Sequence, residues 1–218
     1  MPKTTLSISS KNYSSWSLRG WLMAKMAGIS FVEVSVPVDT ADARAELLLL
    51  SPSILVPCLH HGQVTVWDTL AIGEYLHEIA PKANLLPTNQ VHRAHCRAVC
   101  GEMNSGFSAL RSSLPMNLKA RMKGFKVWSK AQLDIDRITD IWTGCLASYK
   151  GPYLFGKTPT LADAMYAPVA TRFETYGIEL DPVCKKYCKQ ILSMPFMQEW
   201  ILAAQAEPDD IEELEMEF

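Results

Sequence analysis

Ser14 and Ser15 lie in the run Asn12-Tyr13-Ser14-Ser15-Trp16-Ser17-Leu18-Arg19. Residues 4–9 before it alternate like a strand, and Leu18, Trp21, Leu22 and Met26 after it form an apolar stripe at helical spacing. The serines therefore fall where a strand becomes a helix. A helix start offers free backbone N–H groups and the positive end of the macrodipole. Hydroxyls placed there can bind an anion or hold a thiolate. Serine is also a preferred helix cap, which is the plain structural role for either residue.

Val56-Pro57 is the second feature. Proline removes a ladder donor and is usually confined to sheet edges. A cis Val56–Pro57 bond would turn the Val56 main chain outward, where it could pair with an extended peptide as an added strand does. The third is Trp67-Asp68-Thr69 ahead of an amphipathic helix. Asp and Thr cap helices, and a helix N-terminus is also a carboxylate site. A ligand with both an α-amino and an α-carboxyl group would use the Asp68 carboxylate and the N–H groups together. The fourth, Thr160-Leu161-Ala162-Asp163, has capping-box spacing and is structural.

The elements that must hold these residues change character along the chain. Residues 1–80 read β-α-β-α-β-β-α. Residues 31–36 form the second strand and residues 40–50 a helix. Residues 55–60 and 63–67 form a hairpin around His61-Gly62, and a helix follows through Ile79. Residues 81–89 carry two prolines and two asparagines and read as a linker. Beyond residue 90 strand signals are scarce. Residues 93–111, 119–149, 161–176, 182–192 and 195–206 suit helices, punctuated by Gly and Pro.

With 218 residues the chain has room for one large domain or two small ones. Its 48% hydrophobic and 20% charged residues are ordinary for a globular protein. No basic segment followed by an apolar core opens the chain, and no apolar run is long enough to span a bilayer. The six cysteines include no C-x-x-C and read as reduced structural thiols of a cytoplasmic protein. Cys96, Cys100, His92 and His95 fit no standard zinc spacing, so no metal is expected. Residues 207–218 hold seven of the 23 acidic residues and no basic one, leaving a mildly basic body. That balance suits an anionic small ligand and is too weak to argue for nucleic acid.

Taken together, these motifs resemble the glutathione transferase family. The resemblance spans nearly the whole chain. It rests on Ser14–Arg19, Ser51-Pro52-Ser53, Val56-Pro57, Trp67–Ile72, Glu74-Tyr75-Leu76 and Leu161–Ala164, in order, with a switch of character near residue 85. The serine-rich first turn looks most like the bacterial zeta and theta-related branch, which includes maleylacetoacetate isomerases.

The resemblance implies an α/β thioredoxin-like glutathione-binding domain over 1–81, a linker over 82–89 and an all-α domain over 90–218. It also implies a homodimer and a role in detoxification. Ser14, with Ser15 as runner-up, would donate to the thiol of glutathione, the co-substrate. Trp16, Leu55, Val56, Pro57, Asp68 and Thr69 would hold the rest of it. Tyr13, Met103, Phe107, Arg111, Met116 and Asn117 would line the electrophile pocket, and Arg19 is read as structural.

Two departures from the family pattern stand out. Trp16 stands where zeta members have Cys. Ile54-Leu55 stands where many relatives have Gly-Lys, so the glycine end of glutathione must rely on another group, such as Arg44 or His60, and weak binding is expected. Three activities follow as alternatives: addition of the thiolate to an electrophile, glutathione-dependent cis–trans isomerisation of a dicarboxylic compound, and non-catalytic binding.

Overall fold

The computed structural model describes residues 4–36, 56–122 and 124–207. The expected helix over 40–50, together with Arg44, Ile54 and Leu55, lies outside the described residues, as does the tail beyond Glu207.

Four strands form one mixed sheet in the order β2-β1-β3-β4, with β1 at Thr4–Ile8, β2 at Val32–Ser35, β3 at Cys58–His61 and β4 at Val64–Trp67. β1 runs parallel to β2 and antiparallel to β3, and β3 pairs antiparallel with β4. The hairpin turns at Gly62 with φ 64°, a backbone region open to glycine at little cost. Between β1 and β2 lies α1, Ser15–Met26, and after β4 comes α2, Thr69–Ile79. The Val56–Pro57 bond leading into β3 is cis, one of the two arrangements the sequence leaves open.

A 3-10 turn at Pro81–Ala83 follows, and then a helical half. Its helices are α3 Gln90–Ser105, α4 Ser108–Ser113, α5 Ser129–Tyr149, α6 Leu161–Tyr176, α7 Pro182–Leu192 and α8 Pro195–Gln205. Side-chain caps start several of them. Asn89 accepts from the N–H groups of Val91 and His92, and Asp181 from those of Val183 and Cys184. The expected linker is not an open tether: Leu85 and Leu86 are fully buried, and the Leu85 carbonyl accepts from Leu161 N.

Two helical expectations are corrected. The helix read over 93–111 breaks at Gly106 and Phe107, where Phe107 takes a left-handed φ of 60°. The helix read over 119–149 begins only at Ser129. One local side chain and two tertiary partners take the N–H groups that a helix would need there. Asn12 Oδ1 accepts from Leu118 N and Lys119 N, Asn117 Oδ1 from Lys119 N and Ala120 N, and the Thr175 carbonyl from Met122 N.

The two halves share one hydrophobic core. α1 packs on α6 and α2, and Gly73 in α2 lies so close to Leu161 that a Cβ there would clash. Asp163 anchors the start of α6. Its Oδ2 accepts from Thr160 N (2.7 Å) and the Thr160 hydroxyl, and its Oδ1 from Leu154 N and the Tyr187 hydroxyl. This is the capping box the sequence announces, extended to a second segment.

Candidate active site

Ser14 is the N-cap of α1. Its Oγ accepts from Ser17 N at 3.2 Å, and its hydroxyl donates to Ser17 Oγ at 2.9 Å. Ser17 Oγ also accepts from Ser9 N at 3.1 Å at the end of β1. Three serines thus join strand end, cap and first helical turn. Ser17 was not singled out from the sequence; its i+3 spacing from Ser14 was the available signal. Ser14 remains half-buried, whereas Ser15, the first helical residue, is 8% exposed. Among the described residues no hydrogen bond is made by the Ser15 hydroxyl.

The loop before Ser14 is a compact turn. Ser14 N donates to the Ser10 carbonyl at 2.9 Å, and Tyr13 N and Asn12 N donate to Ser10 Oγ. Pro57 reaches the same helix from the other side. A Cβ added to Gly20 in α1 would stand 2.6 Å from Pro57 Cγ, so the sequence needs glycine where the helix crosses the proline. Val56 is half-buried beside it.

Asp68 caps α2 with Oδ1 accepting from Leu70 N at 2.8 Å and Ala71 N at 3.3 Å. Its φ of 70° is a conformation few non-glycine residues adopt, and such geometry concentrates at functional sites. Thr69 is fully buried and donates to Asn104 Oδ1 at 3.2 Å, while Asn104 Nδ2 donates to Asp68 Oδ2 at 3.5 Å. Asn104, in the last turn of α3, thereby holds the Asp68-Thr69 pair from the helical half. Beyond one polar residue near a helix end, no local pattern marks it.

Two guanidinium groups approach the Trp16 ring, Arg19 at 4.5 Å and Arg111 at 5.0 Å from its centroid. Arg19 is fully buried and donates to the Met165 carbonyl at 2.9 Å, matching its expected structural role. Burial and the neighbouring charges of Arg172 and Arg111 push its pKa well down. Arg111 donates to the carbonyls of Met103 and Asn104, capping the end of α3. Burial lowers its pKa too, against the pull of Asp134.

The other expected pocket residues divide by burial. Tyr13 is half-buried beside the serines. Met103 is fully buried, and Phe107, Met116 and Asn117 are each under 8% exposed. Asn117 also fastens the segment before α5.

The six cysteines are free and buried. Burial pushes the Cys145, Cys184 and Cys188 thiols up to about 12, so these stay protonated. No group of metal ligands occurs among the described residues, and no helix among them is long and apolar enough to cross a membrane. A cavity of about 720 Å³ between α5 and α7, lined by Thr143, Lys150, Val183 and Lys186 among others, shares no residue with this site.

Comparison with known proteins adds three findings. Residues 13–79 match the family model "Glutathione S-transferase, N-terminal domain", and residues 98–193 match "Glutathione S-transferase, C-terminal domain". A probable maleylacetoacetate isomerase of Caenorhabditis elegans is 27% identical over 169 residues, covering 77% of this chain and 78% of that protein. The rat maleylacetoacetate isomerase is also 27% identical, with 77% of each chain covered. Among solved structures, a Burkholderia glutathione transferase homologue with bound glutathione has a TM-score of 0.72 at 22% identity, covering 94% of this chain and all of that one. The maleylacetoacetate isomerase of Anaeromyxobacter dehalogenans has a TM-score of 0.69 at 22% identity, covering 97% and 96%.

Proposed function

This chain belongs to the glutathione S-transferase family, and on that premise we propose that it holds the thiol of glutathione as a thiolate and adds it to a small electrophile. A free thiol titrates near ~8.5, so only a few per cent is ionised at neutral pH. Lowering that value by about one to two units makes much of it nucleophilic. Ser14 supplies the hydrogen bond that does this, and the N-terminal dipole of α1 adds to it.

The observation that carries the reading is the Ser14–Ser17 hydroxyl pair. As a cap, Ser14 uses a lone pair, which leaves its proton free to turn. When a sulfur is present, the Ser14 O–H swings to it and Ser17 donates to Ser14 in return. The cap on Ser17 N is kept. Ser14 therefore serves the helix and the thiol together, and its half-buried position suits contact with a ligand better than that of Ser15.

In the same reading the thiol proton leaves to solvent, the sulfur pair forms the new bond to the electrophile, and a leaving group or conjugated acceptor takes the displaced pair. The Val56 main chain beside Pro57 pairs with the cysteinyl part. Asp68 accepts from the α-ammonium of the γ-glutamyl end, and the N-terminus of α2 at Thr69 faces its carboxylate. Leu55 offers the glycine carboxylate no charge. Tyr13, Trp16 and Arg111 border the electrophile.

The division into 1–81 and 90–218 joined by 82–89, a homodimer and a cytoplasmic, detoxifying role belong to this reading. Rate measurements with glutathione and a generic aryl halide test it: turnover well above the uncatalysed rate supports it, and none removes it. Glutathione-dependent isomerisation is the second reading, favoured by the names of the curated relatives. Turnover of maleylacetoacetate distinguishes it.

A further inference from the structure

The Glu207 carboxylate, just beyond the end of α8, is seated in the loop that leads to Ser14. Its Oε1 accepts from Lys11 N at 2.6 Å. Its Oε2 accepts from the Ser10 hydroxyl at 2.8 Å and from Asn12 N at 3.1 Å. Successive N–H groups turned toward one point make an anion-binding concavity, and here the anion is a side chain from the far end of the described chain.

Two neighbouring contacts hold the same junction: Trp200 Nε1 donates to the Lys11 carbonyl at 2.9 Å, and Lys119 Nζ donates to the Glu207 carbonyl at 3.0 Å. No other segment among the described residues places a carboxylate against this loop's main-chain N–H groups.

We infer that Glu207 is a positioning residue for Ser14, acting through Ser10. The inference rests on the reading of Ser14 as the thiol donor. Two links connect them. Glu207 accepts the hydrogen bond of the Ser10 hydroxyl, which leaves the Ser10 lone pairs to accept from Asn12 N and Tyr13 N. The Ser10 carbonyl then fixes Ser14 N at 2.9 Å. Docking of the C-terminal segment and placement of the catalytic hydroxyl are thus one event. A misplacement of about 1 Å at a reacting group can cost ~100-fold in rate, so a loosened turn reads out as lost activation rather than lost binding.

Thiol titration of enzyme-bound glutathione, followed by its ultraviolet thiolate band, tests this in the full-length protein alongside glutathione affinity, kcat and melting temperature. Wild type is compared with E207A, E207D, S10A and the S10A/E207A double variant. E207A is expected to raise the bound thiol's pKa toward the free value and to lower kcat about tenfold, with glutathione affinity little changed. E207D, which keeps the charge, restores most of the shift. S10A, a small change at a half-buried hydroxyl, gives the same direction even where E207A folds poorly. The double variant is no worse than the poorer single one, as expected for one shared link.

Folded E207A or S10A with wild-type titration and kcat overturns the inference while leaving the thiolate reading intact. A wild type that holds no thiolate overturns both.

Discussion

The Thr69 hydroxyl donates to Asn104 Oδ1 at 3.2 Å, tying the start of one half's last helix to the end of the other half's first. The same Asn104 approaches Asp68, so the pair assigned to the γ-glutamyl end is held from the helical half. Substitution N104A removes both contacts and leaves the buried Thr69 hydroxyl without its acceptor. A loss of about 1 kcal/mol in glutathione binding, roughly fivefold in Kd, is expected with kcat little changed. Calorimetry of glutathione binding checks it.

Gly20 and Pro57 make the tightest crossing near the site. A Cβ at position 20 meets Pro57 Cγ and Cβ at 2.6 and 2.8 Å, and a proline ring has little freedom to yield. G20A should cost about 1–3 kcal/mol of stability by overpacking, and it should weaken glutathione binding because Pro57 is displaced. Chemical denaturation and a glutathione titration read the two effects separately.

The Asp163 carboxylate accepts four hydrogen bonds in a fully buried place. Burial pushes its pKa up, and the donors from Leu154, Thr160 and Tyr187 pull against that. D163A strands all four donors and should cost about 3–5 kcal/mol, while D163N, which keeps one oxygen, costs less. Urea unfolding orders wild type, D163N and D163A in that sequence.

Acid should weaken the protein partly through Glu33. Burial raises its pKa, but hydrogen bonds from Lys11 and Trp21 outweigh it and hold the carboxyl below the usual range. A depressed carboxyl stabilises the fold above its unfolded value of 4.5, and that contribution is lost as pH falls through the folded value. E33Q should therefore show a shallower loss of stability below pH 4.5. At neutral pH the cost is under about 1 kcal/mol, since solvent reaches the pair and screens it. Thermal melting across pH measures both.

Much of the fold was legible because its signals are local. The hairpin at Gly62, the capping box at Thr160 and Asp163, and the bounds of α6 and α7 all follow from spacing and punctuation. The break at Gly106 was hidden because apolar spacing continues through Phe107. The irregular segment before Ser129 was hidden because its N–H groups are bound by Asn12 and Thr175, far away in the chain.

The candidate site divides along the same line. Ser14, Pro57, Asp68 and Thr69 lie at element ends that composition marks. Ser17 needed the cap geometry, and Asn104 and Glu207 act across 35 residues or more, where no local pattern reports a contact.

Titration of enzyme-bound glutathione in wild type, S14A and S15A shows whether Ser14 ionises the thiol. S14A is expected to raise the bound thiol's pKa by about one to two units and S15A to leave it in place. A bound thiol that titrates alike in wild type and S14A would contradict that role for Ser14.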